Sequence, residues 1–272
     1  MISASNVFLC AGLRAAMAYR EEIRAAGLNL EVQQFVSARQ FTMDYRSEVS
    51  RLKLLKDKLG LRYAFHAPFM QLNFFSRNAE RAKASYRAML LSLDVAAELQ
   101  AEFVVVHSLF IPRRHNTDYG ADWPLRAPEF FREVAREAAS RGLTLALENM
   151  LEKGPESLLW LIDEIDCPGT RVCLDVAHTA VAGGASPGEW VKGLGTALRH
   201  IHLSDNHGIH DDHLPLGEGT VDIKGALDAA AAAPHDISLG IECRLRPPEN
   251  VEKSIRYLAG FGALSGLGRG IQ

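Results

Sequence analysis

The sequence predicts a single-domain α/β protein, a (β/α)8 TIM barrel, and three observations predict it. Short apolar, β-prone runs alternate with longer amphipathic stretches, the pattern of parallel strands joined by helical crossovers. Eight such runs fit within 272 residues, close to the roughly 250 residues typical of one barrel. Six of the runs end in a histidine or a carboxylate, and a closed barrel would bring all six ends to one rim.

Taken in order, the first strand is expected at ISAS, beginning at Ile2. The second is LNLEVQ from Leu28 and the third LRYAFH from Leu61, each preceded by a glycine, Gly27 and Gly60. Glycine just before a strand suits the left-handed cap that ends the preceding helix. Residues Glu80 to Gln100 place apolar side chains at three- and four-residue spacing with charges on the other face, which predicts an amphipathic helix. The fourth strand, EFVVVH from Glu102, leads into LFIPRRHNTDYGADWPLR, residues 109–126, expected as the longest loop. Long loops at the catalytic rim of a barrel shape substrate sites or act as lids. A helix from Pro128 to Gly142 follows, then strands LTLALE from Leu143, RVCLD from Arg171, RHIHLS from Arg199 and ISLGIE from Ile237. The alanine run Ala229 to Ala233, ahead of the last strand, reads as helix. A doubly wound open sheet is the alternative, but no GxGxxG follows the first strand to give it a dinucleotide site.

Composition narrows the function classes. A net charge of −3 and a pI near 6.4 provide no global positive field for nucleic acid or an acidic membrane. Cys10, Cys167, Cys173 and Cys243 form no CxxC pair, so reduced thiols are expected rather than a disulfide framework or a thiolate zinc site. The N-terminus has no basic residue ahead of its apolar patch, and Arg14 interrupts that patch, which argues against a signal peptide. No run approaches the ~18 apolar residues that span a bilayer, and a cytoplasmic location is expected.

The chemistry is expected at the strand ends. His66, His107, Glu148, Asp175, His202 and Glu242 close six of the runs, and Glu31 lies in the second. One strand-end histidine is ordinarily a hydrogen-bonded structural residue. Six imidazoles and carboxylates at equivalent positions would be electrostatically costly without a cation, so the set points to a divalent-metal site. Imidazole and carboxylate without thiolate suit Zn, Mn, Co or Fe.

Glu148 in LALEN, Asp175 and His178 in CLDVAH, His202 in HLSDN and Glu242 in GIECR resemble the metal-binding set of the xylose isomerase-like TIM barrels. That superfamily joins sugar isomerases and epimerases with endonuclease IV-type AP endonucleases. In its isomerase branch the resemblance implies one divalent ion (Zn, Mn or Co) on Glu148, Asp175, His202 and Glu242. Glu148 and Glu242 would be the catalytic pair that moves a proton through a metal-stabilised enediolate on a sugar, sugar phosphate or polyol. His178 is expected to assist, and His66, His107, Arg244 and Asn206 to contact substrate. Barrels of this branch often associate into homo-oligomers.

In the endonuclease branch the resemblance implies three zinc ions acting on abasic-site DNA. His66, His107 and Glu148 would hold the first, Glu148, Asp175, His202 and Glu242 the second, and His178, Asp211 and His213 the third. The strand-two Glu31 and HLSDN match the sugar-enzyme branch better, and the isomerase reading is preferred. Arg39, Arg113, Arg114 and Arg126 are nevertheless potential phosphate contacts, and Phe69 with Met70 a potential wedge. His207 and His210 fit neither set and are expected in solvent. A barrel that only binds or scaffolds is the third class, disfavoured because a structural ion would not need two opposed glutamates.

Overall fold

The computed structural model describes residues 2–112, 117–264 and 266–268, leaving the side chains of residues 117–121 aside. Eight strands, β1 (Val7–Ala11), β2 (Asn29–Val32), β3 (Tyr63–His66), β4 (Ala101–His107), β5 (Thr144–Glu148), β6 (Arg171–Asp175), β7 (Leu198–Leu203) and β8 (Ser238–Ile241), pair in sequence order. All pairings are parallel, and β1 pairs with both β2 and β8, so the sheet closes into a single TIM-barrel domain. The helices between strands are α1 (Leu13–Ala18), α2 (Arg20–Ala26), α3 (Tyr45–Leu59), α4 (Ala79–Glu98), α5 (Thr117–Ser140), α6 (Glu156–Ile165), α7 (Val176–Ala182), α8 (Pro187–Leu194) and α9 (Ile223–Ala231), with α10 (Glu249–Ala259) after β8. None of the described helices is long and apolar enough to cross a membrane.

Strand periodicity divides the core in two. Leu9, Leu30, Phe65, Val104, Leu147, Leu174, Ile201 and Leu239 face outward and join the helices in one large buried cluster. Phe8, Ala64, Phe103, Val105, Ala146 and Cys173 form a separate plug inside the barrel. The next inward positions toward the C-terminal rim are polar, because the same alternation that points Phe103 and Val105 inward also points His107 inward.

Register then sets neighbours. His107 lies opposite Glu148 and Asp175 opposite His202. A register shift between Val172 and Cys173 lets Cys173 face His200, and this irregularity aims both β7 histidines into the barrel. Gly240 provides the space for them: a Cβ there would come within 2.8 Å of His200 Nε2 and 2.9 Å of Cys10 Sγ. Gly27 and Gly60 cap α2 and α3 in the left-handed region, at φ 71° and 66°, as expected from their positions.

Two sequence expectations are corrected. The first strand is Val7–Ala11, not ISAS; Ala4–Asn6 form a single 3-10 turn instead. Only the run VFLCA can fill both faces of a buried parallel strand, with Phe8 inside and Leu9 outside. The second concerns residues 109–126, whose C-terminal part is the beginning of α5, with Pro124 and Pro128 inside the helix. Packing outweighs the proline signal: Trp123 is buried, its indole N–H donates to the Ser108 carbonyl at 2.8 Å, and Ala127 and Phe131 are fully buried. Arg113 and Arg114 lie outside the described residues.

Candidate metal centre

The last inward residues of five consecutive strands supply His66, His107, Glu148, Asp175 and His202, and Glu242 stands one residue past β8. Ligand atoms of Glu148, Asp175, His202 and Glu242 all lie within 4.8 Å of one another. His66, His107 and Glu148 form a second such group, so Glu148 belongs to both. Its Oε2 is 3.1 Å from His66 Nε2 and 3.4 Å from His107 Nε2, while its Oε1 is 3.2 Å from His202 Nδ1. Glu242 Oε2 approaches the same His202 Nδ1 at 3.1 Å. The two glutamates therefore converge on one nitrogen from strands on either side of β7.

The electrostatics call for positive charge. Asp175 is fully buried; its Oδ1 accepts the backbone N–H of His178 at 2.8 Å, capping α7, but its Oδ2 has no hydrogen-bond partner. Burial lifts its carboxyl to about 7; the charges of Glu242 and Glu148 add to this, and His178 only partly offsets it. Burial alone would neutralise His202, but Cys173 and the carboxylates of Glu242, Glu31 and Glu148 hold its imidazole well above the ordinary value. Glu148 is likewise buried and Glu242 half-buried, yet the surrounding histidines hold both below the usual range, Glu242 at about 2. His107 goes the other way, pushed to about 4 by burial and by His66 and His178 beside it. Two buried carboxylates and a half-buried one, with one orphaned oxygen among them, fit a divalent cation, and the oxygen and imidazole donors fit Zn, Mn or Co.

A third group borders these two. His178 Nδ1 is 2.7 Å from the Asn149 carbonyl and its Nε2 3.3 Å from Asp211 Oδ2. The same Asp211 oxygen is 3.0 Å from His213 Nε2, and His213 Nδ1 is 2.8 Å from the Glu242 carbonyl. His213 rises to about 9, against the effect of burial, because Asp211 accepts from it and Glu242 and Asp175 are near. All nine residues expected for a polynuclear site thus lie side by side.

Other expected residues fall elsewhere. Asn206 does not face substrate: its amide donates to the Ala177 carbonyl at 2.9 Å and accepts the Gly208 N–H at 2.7 Å. With buried Asp205, which accepts the backbone N–H groups of Asn206, Gly217 and Val221, it builds the loop after β7. Gly219 must be glycine there, since a Cβ would come within 2.3 Å of the Asn206 carbonyl. Arg244 is exposed on the loop beyond β8, so it does not share a strand face with Glu242; its guanidinium is 3.6 Å from Asp212. Arg126 donates to the Phe75 carbonyl at 2.7 Å and covers the Phe75 ring, so it is not a free phosphate contact. Arg39, His207 and His210 are exposed. Phe69 stacks on the His107 ring at 4.6 Å and remains 40% exposed, so it is a flap over the site rather than a free wedge.

Three residues that no motif singled out also belong to the site. Gln33 donates to Glu242 Oε1 at 2.5 Å. Asn149 locks the tips of β5 and β6, donating to the Asp175 carbonyl at 3.0 Å and accepting its N–H at 2.7 Å. His200 lies one layer below His202, beside Glu31. The inward alternation of RHIHLS and the LEVQ run were the available signals for His200 and Gln33.

Over residues 21–261 the chain matches the family described as xylose isomerase-like TIM barrel. An uncharacterized protein of Methanocaldococcus jannaschii is 30% identical over 203 residues, which is 71% of this chain and 68% of that protein. A Thermus thermophilus protein, solved after soaking with ZnCl2, has a TM-score of 0.76 at 28% identity, with 94% of this chain and 99% of that one covered. A D-tagatose 3-epimerase-like protein has a TM-score of 0.74 at 23% identity, with 96% and 98% covered, a likeness of fold.

Proposed function

The chain belongs to the xylose isomerase-like TIM-barrel family, and from that premise we propose that it is a divalent-metal-dependent isomerase or epimerase of sugars, sugar phosphates or polyols. The observation that carries this reading is the approach of Glu148 and Glu242 to the same His202 nitrogen, at 3.2 and 3.1 Å, with Asp175 completing the set. Held by these four residues, a divalent ion would stabilise negative charge on substrate oxygens while a carbon next to them is deprotonated.

The protein's own groups do the rest. One of the two glutamates removes the proton and the other returns it, and their placement on β5 and just past β8 sets them on opposite sides of the site. Gln33 orients Glu242 by its bond to Oε1, leaving Oε2 toward the centre. His178 keeps Nδ1 on the Asn149 carbonyl, and its Nε2 would orient a substrate oxygen by exchanging Asp211 for it. Phe69 shields His107 and offers an apolar ring edge to the carbon face of a sugar. The epimerase-like neighbour supports the substrate class and the zinc-soaked one supports the ion.

A second reading has one observation in its favour. The group His66, His107 and Glu148, and the contacts joining His178, Asp211 and His213, would supply the ligands of two further zinc ions for an endonuclease IV-type hydrolysis of abasic-site DNA. Against it stand the net charge of −3 and the engagement of Arg126.

Metal stoichiometry separates the two. We expect one tightly held ion per chain, its count unchanged in His213→Ala, together with turnover on a panel of ketoses, aldoses and inositols. Three zinc ions falling to two in that variant, with cleavage of abasic-site DNA, would overturn the isomerase reading.

A further inference from the structure

A buried polar layer directly beneath the four ligands is not required by the proton transfer itself. Glu31, on β2, is fully buried. Its two oxygens lie 3.0 and 3.1 Å from His202 Nε2, and Oε2 is also 3.2 Å from His200 Nε2. His200 Nδ1 in turn is 2.6 Å from Ser238 Oγ, on β8. The His200 ring is held edge-on against Phe8 and tilted against Phe103, at 5.8 and 4.9 Å, so neither it nor Glu31 exchanges its partners for water. The apolar plug of the barrel packs around this network, with Ala64 opposite Glu31 and Cys173 opposite His200. A buried carboxylate placed where an apolar side chain would serve the packing needs a reason other than packing.

That reason lies in the two nitrogens of His202. A neutral imidazole carries one proton, and a carboxylate at one nitrogen draws the proton there and leaves the lone pair on the other. Glu31 sits at Nε2, and the cluster of Glu148, Asp175 and Glu242 lies on the Nδ1 side. We propose that the chain Ser238, His200 and Glu31 is a positioning device that presents His202 to the metal through Nδ1. Ser238 Oγ holds His200 by its Nδ1, His200 packs its Nε2 3.2 Å from Glu31 Oε2 without completing a hydrogen bond, and Glu31 receives Nε2–H from His202. Gln33 ties the device to the catalytic pair, since its amide is 3.4 Å from Glu31 Oε1 as well as bonded to Glu242. Gly240 is the opening that lets both rings fit.

This inference rests on the metal reading of the site, and its test keeps the two apart. Zinc affinity is measured by competition with a chromophoric chelator for the wild type, Glu31→Gln, Ser238→Ala and Asp175→Asn. Histidine 15N NMR of the zinc-loaded wild type reports which nitrogen of His202 is metallated. Expected are metallation at Nδ1, a loss of affinity of about ten- to a hundredfold in Glu31→Gln, and a smaller loss in Ser238→Ala, with circular dichroism unchanged. Wild-type affinity in Glu31→Gln, or metallation at Nε2, would overturn the positioning role while leaving the metal site standing. Equal affinity of wild type and Asp175→Asn would overturn the metal site itself. Should Glu31→Gln fail to fold, Ser238→Ala with wild-type affinity, or metallation at Nε2, is the overturning result.

Discussion

Glu148 touches His66, His107 and His202 at once, so replacing it tests chemistry and charge balance together. Glu148→Gln and Glu242→Gln should each lower kcat by about a hundredfold or more while the chain remains folded, as steady-state assays with circular dichroism would show. A different buried acid makes a prediction about pH. Glu152 bonds Ser108 Oγ and the Met150 N–H, and burial raises it from 4.5 to about 6 although those bonds oppose the shift. Between these two values the folded chain holds a proton that the unfolded chain has lost. Stability from this group is therefore greatest below pH 4.5 and falls as pH rises to 6, by about 2 kcal/mol in all. Urea unfolding across that range should show the fall in wild type and its absence, for this component, in Glu152→Gln.

At the scale of elements, the strands were legible because apolar runs bounded by glycine leave little choice. LNLEV, YAFH and TLALE each lie where expected. The first strand was misplaced because ISAS and VFLCA are only a few residues apart, and only closure against β8 decides between them. α5 was read short because two prolines outweigh helix propensity locally, whereas buried Trp123 and Phe131 outweigh the prolines in the fold. β7 carries a prediction of its own. Gly240→Ala on its neighbour β8 would press a methyl into His200 and Cys10, so it should cost about 1–3 kcal/mol in chemical denaturation and also weaken zinc binding. Asn149→Ala leaves both backbone groups of Asp175 unpaired at a buried position, and we expect a similar cost, about 1–3 kcal/mol, by the same measurement.

For the whole molecule, the barrel gathers carboxylates and imidazoles at its rim and leaves Asp175 Oδ2 without a partner among them, and this links stability to the ion. Zinc at about a hundred times its Kd should stabilise the chain by about 2.7 kcal/mol, raising Tm, and a chelator should reverse the rise. Asp175→Asn should abolish the response. It should also leave the metal-free chain no less stable than wild type, because the raised carboxyl it removes is a burden there. The order of strands, their inward and outward faces, and the residue types at their ends are all written in the linear chain, since each depends on periodicity within a few residues. Folding in three dimensions was needed to establish that Glu148 is shared between two groups, that Asn206 is tied to loop backbone and Arg244 exposed beside Asp212, and that Glu31 and His200 lie behind His202. Those facts depend on register, on one irregularity between β6 and β7, and on barrel closure, which bring together side chains as many as 209 positions apart. No local pattern carries that information.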